Sequence, residues 1–271
     1  MTAGAAGTAG AGWAIVTGAS GDLGREIARL LAERGYSLIL AARRVTLLEE
    51  LRDELVETYG VAVAAVPLDL TDTDNLVTNL QDALRSHDIT ETDIQLLVNN
   101  AGNGYFGYFH NEDPAALSRG IRLNIDAPAQ LIRWIIPIMR RRGGGTICNV
   151  ASVAAFSPGP LMASYYAAKG WMLSLGESLH EELKGDGIAV VTCCPGPFRS
   201  AFHRAAGIDP DSIGTVPSAG VVAGAVVAAI ERPRPVVPIG AVPRIWAVLS
   251  PRLPRSWSRR IMATLQSRRR S

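Results

Sequence analysis

Ser152 is followed thirteen residues later by Tyr165, which opens the run Tyr165-Tyr166-Ala167-Ala168-Lys169. A tyrosine and a lysine four apart on a helix share a face, so an ammonium can approach a phenol without help from loops. A free phenol titrates near ~10, and a cation at ~4 Å contributes about 4 kcal/mol at an effective dielectric of ~20. Each ~1.4 kcal/mol is one pKa unit, so even a discounted interaction would draw Tyr165 toward neutral pH, the tuning that a general acid needs. Tyr166 also shares a face with Lys169, at i, i+3, and is a rival for that role. The lysine is informative by its rarity. The chain holds 25 arginines and only two lysines, Lys169 and Lys184, which points to a need at 169 for a compact, rotatable point charge rather than a planar fork.

Such groups need a rigid frame. Apolar, β-rich runs recur at residues 13–17, 37–41, 61–66, 94–98, 146–150 and 188–193, separated by stretches of helical periodicity. The alternation predicts an α/β fold in a single domain, a doubly wound parallel sheet with helices on both faces. The runs are continuously apolar, as in strands buried on both faces. Right-handed crossovers then put ligands at the carboxyl ends of the strands. A helix over about residues 162–184 follows the fifth strand and carries Tyr165 and Lys169 in its first turns, so the reactive groups and the expected ligand crevice coincide.

At 271 residues, 48% hydrophobic and 19% charged, the chain can bury one substantial core. Residues 1–12 are mostly Ala, Gly and Thr with no basic segment or long apolar run, and read as a flexible tail rather than a secretory leader. Residues 13–240 form the expected domain, and 241–271 an arginine-rich helical extension. No run approaches the ~18 apolar residues of a membrane span. Cys148, Cys193 and Cys194 lie in apolar runs without metal or disulfide spacing, and His87, His110, His180 and His203 are scattered singly. No metal site is expected, and the cysteines fit a reducing cytoplasm. The formal charge of +2 conceals an asymmetry, because ten arginines and no acidic residue follow Glu231.

The first run leads into Thr17-Gly18-Ala19-Ser20-Gly21-Asp22-Leu23-Gly24, a glycine-rich turn opening a helix near Arg25. Bare backbone in such a turn can approach a pyrophosphate and aim helix N-terminal N–H groups at it. After the second run, Ala41-Ala42-Arg43-Arg44 stands where an NAD-binding unit usually carries an acidic residue. Guanidinium groups bind a 2′-phosphate that a carboxylate would repel, so NADP(H) is expected in preference to NAD(H).

With these motifs in order, the chain resembles a short-chain dehydrogenase/reductase of the shorter, single-domain type over about residues 13–240. Gly18, Ser20, Gly21, Asp22, Leu23 and Gly24 match the family's glycine motif, Asp69 with Leu70 its adenine-contacting segment, and Asn100-Ala101-Gly102 its signature after the fourth strand. Asn124, Ser152, Tyr165 and Lys169 match its catalytic tetrad, and Pro195-Gly196 with Phe198 and Ser200 its nicotinamide-contacting segment. The resemblance implies hydride transfer between a nicotinamide and a carbonyl or carbinol carbon. Tyr165, favoured over Tyr166 by the interval from Ser152, would be the general acid, Ser152 would hold the substrate oxygen, and Lys169 would lower the Tyr165 pKa and bond the nicotinamide ribose. Asn124 would keep a water in line with Lys169. Asp22 departs from the pattern, standing where a second glycine is usual; it is expected to cap the following helix and to weaken cofactor binding modestly. The alternative is a non-catalytic NADP-binding sensor or scaffold on the same fold.

Four aromatics in residues 104–109, with Phe156, Leu161, Met162, Phe198 and Phe202, suggest an apolar or aromatic carbonyl or alcohol substrate. The resemblance implies a homodimer or homotetramer built through the long helices after the fourth and fifth strands, where the apolar row Ile121, Ile125, Leu131 and Ile135 serves either packing or association. Beyond Pro254, Trp257, Ile261 and Leu265 share a helical face, with Arg255, Arg259, Arg260 and Arg268 to Arg270 around them. Such a helix packs on the body or a partner, or makes peripheral membrane contact. No nucleic-acid binding is expected, since no interleaved aromatic surface accompanies it.

Overall fold

The computed structural model describes residues 12–208 and 214–267. The expected tail, apart from Gly12, and Arg268 to Arg270 lie outside them. All six apolar runs form strands and a seventh joins them: β1 Trp13–Thr17, β2 Ser37–Ala42, β3 Val63–Pro67, β4 Ile94–Asn99, β5 Gly145–Val150, β6 Ile188–Pro195 and β7 Val236–Ile239. They make one sheet, in the order β3-β2-β1-β4-β5-β6-β7, with every pair parallel. The chain winds outward from β1 and then from β4, so a crevice opens between their carboxyl ends.

Ten helices are described: α1 Asp22–Glu33, α2 Val45–Tyr59, α3 Leu76–Ser86, α4 Pro114–Ile121, α5 Ala127–Arg142, α6 Ala163–Glu182, α7 Ala201–Ala205, α8 Ala219–Glu231, α9 Ala241–Leu249 and α10 Arg255–Ser267. Successive strand residues point to opposite faces. Ala14 and Val16 of β1 therefore join a core with Ile27 of α1, Leu51 of α2 and Val226 of α8. Ile15 between them joins the other core, with Leu80 of α3, Ile135 of α5 and, at its margin, Leu179 of α6. Burial on both faces is the reason for the unbroken apolar runs.

Two readings need correction, and one left open is decided. The helix after the glycine turn begins at Asp22 rather than near Arg25, because extended Gly21 is its N-cap and already accepts from Arg25 N at 2.9 Å. Strand β7 was not anticipated: it has only four residues, one of them Pro238, which an edge position tolerates because half its backbone groups need no partner. The apolar row along residues 121–135, open between packing and association, serves mainly packing. Leu131 and Ile135 are core, Ile125 is half-buried, and only Ile121 is exposed.

Between α4 and α5 the chain makes a π-helical segment, Arg122–Asp126, that carries Asn124. Wider turns of this kind are rare and occur mostly at functional sites. This one presents the Asn124 amide to the crevice and buries it.

Candidate active site

At the end of β1 the glycine turn is folded too tightly for side chains. Gly18 has φ +67°, a conformation that disfavours a Cβ, and a Cβ there would lie 2.9 Å from Ala101 Cα. A Cβ on Gly24 would collide with the Gly18 carbonyl oxygen, whereas one on Gly21 would meet that oxygen at an ordinary 3.4 Å. Thr17 and Asn100 clip the turn to the end of β4. Thr17 Oγ1 donates to Val98 O at 3.1 Å and accepts from Asn100 N and Ala101 N at 3.0 and 3.1 Å, while Asn100 Nδ2 donates to Thr17 O at 2.9 Å. The clip role of Thr17 was not foreseen, since its partners lie more than eighty residues away.

Arg44 is tied to the same turn. Its Nη2 donates to Ser20 O at 2.6 Å and its Nε to Ser20 Oγ at 3.2 Å. Asp69 lies at the end of β3, where its Oδ1 accepts from Thr71 N and Thr71 Oγ1 at 2.9 and 2.8 Å. These hydrogen bonds, with help from the Arg43 charge, lower its pKa. Arg43, Arg44, Asp69 and Leu70 line one wall of the cleft with the glycine turn, including Leu23.

The residues able to handle a proton meet at the carboxyl ends of β4 and β5. Ser152 caps a 3₁₀ turn, its Oγ accepting from Ala154 N at 3.2 Å. Lys169 is buried; its Nζ donates to Val150 O at 2.9 Å and sits 5.8 Å from the Tyr165 ring centroid. Asn124 Nδ2 donates to Gly120 O and Asn103 Oδ1 at 2.9 and 2.7 Å, and its Oδ1 accepts from Asn103 N at 3.3 Å. Gly102 joins the two halves: a Cβ there would fall 2.9 Å from Asn124 Oδ1 and 3.4 Å from Lys169 Nζ.

The expectation that Lys169 draws the Tyr165 phenol toward neutrality is corrected here. Burial pushes the phenol up to about 12, opposed by hydrogen bonding with Ser152. Burial also pushes the Lys169 ammonium down to about 8. Desolvation disfavours the charged form of each group and outweighs the Ser152 hydrogen bond at the phenol and the nearby Cys194 thiol at the ammonium. Tyr166 is engaged elsewhere. It is buried, its hydroxyl accepts from Gln266 Nε2 at 2.8 Å, and its ring lies where a Gly159 Cβ would be.

Asp22 does not cap α1. Gly21 is the N-cap without a side-chain bond, and Asp22 Oδ2 instead accepts from Ala201 N at 2.7 Å, at the start of α7. The glycine turn is thus joined directly to the segment after β6. In that segment Gly196 N donates to Ile239 O at 3.3 Å, the buried Ser200 hydroxyl has no partner among the described residues, and Phe202 meets the Tyr165 ring at 5.3 Å between centroids. Pro195 and Phe198 also face the cleft.

All the residues singled out for catalysis and cofactor binding line one cleft of about 1350 Å³. Of the expected apolar lining, Tyr105, Met162, Phe198 and Phe202 face it, whereas Tyr108 and Phe109 are exposed and Phe106 packs beneath. The far wall comes from segments with no assigned site role: Val242 and Trp246 of α9, and Met262, Leu265 and Gln266 of α10. Trp246 Nε1 donates to Ser157 Oγ at 3.1 Å, anchoring α9 beside Ser152.

A doubly wound parallel sheet whose switch-point cleft joins a glycine turn to half-buried Tyr165 and buried Lys169 defines a dinucleotide-dependent oxidoreductase fold. Residues 12–210 match the family described as short chain dehydrogenase, and the chain belongs to it. A very-long-chain 3-oxoacyl-CoA reductase of Laccaria bicolor is 33% identical over 181 residues, 66% of this chain but 52% of that protein. The chain thus spans about half the length of that relative. A short-chain dehydrogenase from Sphingobium yanoikuyae in complex with NADPH superposes with a TM-score of 0.80 at 30% identity, covering 89% of this chain and 93% of the other. The bulky-bulky ketone specific alcohol dehydrogenase from Comamonas testosteroni gives 0.76 at 28% identity, covering 89% and 91%.

Proposed function

We propose that the protein is an NADP(H)-dependent carbonyl reductase, running in reverse as an alcohol dehydrogenase, for a sizeable apolar small molecule. The observation that carries this reading is the convergence of Asn124, Ser152, Tyr165 and Lys169 with the arginine-flanked glycine turn in one cleft. The donor set fits a phosphorylated dinucleotide. Gly18, Gly21, Gly24 and the α1 N-terminus offer bare backbone to a pyrophosphate, and Arg43 and Arg44 offer guanidinium groups to a 2′-phosphate. Asp69 and Leu70 would flank the adenine, Asn100 to Gly102 the ribose, and Pro195, Gly196, Phe198 and the buried Ser200 hydroxyl the nicotinamide.

When bound, the cofactor supplies a hydride to the carbonyl carbon. Tyr165 donates the proton to the carbonyl oxygen, and its raised pKa keeps it protonated, hence competent as an acid, throughout the neutral range. Ser152 holds the same oxygen and stabilises the charge that develops there. Lys169, near half-protonated at about pH 8, returns a proton toward the tyrosine, and Asn124 fixes the carbonyls and amides around its path.

The cleft's far wall of Trp246, Met262 and Leu265, with Phe202 and Tyr105, favours long or bulky apolar carbonyl compounds. The names of the Laccaria and Comamonas relatives point to the same kind of substrate. A homodimer or homotetramer through α5 and α6, in the cytoplasm, completes the reading; the three cysteines are free and buried, as suits a reducing compartment. The test is NADPH consumption with long-chain 3-oxoacyl thioesters and bulky ketones, beside calorimetric titration with NADPH and NADH. Turnover, with NADPH bound at least tenfold more tightly and that preference lost in Arg43→Ala/Arg44→Ala, is expected. NADPH binding without turnover of any carbonyl would instead identify a sensor.

A further inference from the structure

The C-terminal helices bury one face and leave an apolar face outside. In α10 the i, i+4, i+8 stripe Ser258, Met262 and Gln266 faces the body, and Gln266 bonds Tyr166. The adjoining stripe Trp257, Ile261 and Leu265 is exposed. In α9, Pro243 is buried while Val242, Ile245, Val248 and Leu249 face outward. Of the fourteen large apolar side chains exposed among the described residues, seven fall between 242 and 265, each 38–69% exposed. Scattered exposed apolar residues are ordinary, but a concentration of half of them on two consecutive helices marks a contact surface.

Charge identifies the occupant. Arg244, Arg252, Arg255, Arg259 and Arg260 are all exposed around this face, no acidic residue follows Glu231, and no arginine after that point has an acidic partner among the described residues. A second copy of the chain docked by two-fold symmetry would set arginine against arginine. An apolar face with an exposed tryptophan and a rim of unpaired cations matches an anionic lipid surface, into which the apolar residues insert while the arginines meet headgroups.

We propose that α9 and α10 dock the protein on an anionic bilayer, with the mouth of its cleft turned toward the lipid. Val242 and Leu265 are exposed and also line the cleft, so the apolar faces of both helices are continuous with its interior. A long apolar carbonyl compound can then pass from lipid to the Tyr165 hydroxyl without crossing water. The second statement rests on the reductase reading; docking does not.

The test is flotation of the full chain with vesicles of phosphatidylcholine alone and with added phosphatidylserine, for the wild type, Arg255→Gln/Arg259→Gln/Arg260→Gln and Ile245→Glu/Trp257→Glu. None of these five side chains lines the cleft or bears core packing, and circular dichroism melts would check that both variants fold. The wild type should bind the anionic vesicles only, and the triple arginine variant about a hundredfold more weakly, from about fivefold per arginine near the surface. Absence of wild-type binding, or binding untouched by both variants, overturns the docking. So does a dimer that Ile245→Glu/Trp257→Glu dissociates without any vesicle binding, which would assign the face to a second copy. Turnover of a water-soluble ketone without vesicles is read in parallel. Its absence would count against the reductase reading, and its persistence in variants that no longer float keeps the two questions apart.

Discussion

At Tyr165 burial and hydrogen bonding pull in opposite directions, and burial prevails, which leaves a protonated phenol at neutral pH. Tyr165→Phe should cut NADPH turnover by about 10²–10⁴-fold, the usual contribution of a positioned acid, while calorimetric NADPH affinity stays within about twofold. Tyr166→Phe should retain turnover and lose about 1–3 kcal/mol of stability, because buried Gln266 loses its hydroxyl acceptor; inactivity there would move the acid to Tyr166. Lys169 gives a second handle. Its folded pKa of about 8 lies below the ordinary 10.5, so between those values the unfolded chain binds the extra proton and stability rises with pH. Tyr165, raised from 10.0 to about 12, costs stability only as pH climbs above 10. From pH 8 to 10, urea melts should therefore show the wild type gaining about 1–3 kcal/mol relative to Lys169→Met. Equal slopes for the two proteins would contradict a buried, charge-poor Lys169.

Between elements, single close approaches hold the cofactor end in shape. The α1 N-terminus can reach a ligand only because Gly24 lies against the Gly18 carbonyl, so Gly24→Ala should lower the melting temperature and abolish NADPH binding. Gly21→Ala, whose Cβ would make only ordinary contact within the protein, should leave the melting temperature nearly unchanged. The Asp22 bond to Ala201 couples this turn to α7, whose Phe202 touches Tyr165. Asp22→Gly should release α7, raising amide hydrogen exchange at residues 201–205 while leaving exchange in α1 unchanged. If exchange at 201–205 does not rise, the bond is not what orders that segment.

Across the whole molecule, α9 and α10 complete one wall of the cleft, the wall proposed above to meet the substrate. Met262 belongs to the apolar cluster of Met162, Tyr165, Tyr166 and Phe202, although it lies sixty to a hundred residues further along the chain. Met262→Ala should raise KM about tenfold or more for long-chain substrates, the ~2 kcal/mol expected of a lost buried apolar contact, with kcat for a small ketone unchanged. Equal effects on both substrates would place Met262 in general packing rather than in the substrate wall.

By itself the sequence determined the sheet and its two faces, because strands covered by helices must be apolar throughout, and it placed the glycine turn, the arginines and Tyr165 and Lys169 where βα connections meet the crevice. Those features depend on local periodicity and on residues a few positions apart. Strand β7 escaped because a four-residue edge strand containing proline has no periodicity to read. Tertiary structure alone decided that Tyr166 is held by Gln266, that Asp22 reaches Ala201 instead of its own helix, and that α9 and α10 close the cleft. It also decided the direction of both shifts at Tyr165 and Lys169. Spacing reports how near two groups can come; how much water each loses on the way is set by segments that arrive from elsewhere in the chain.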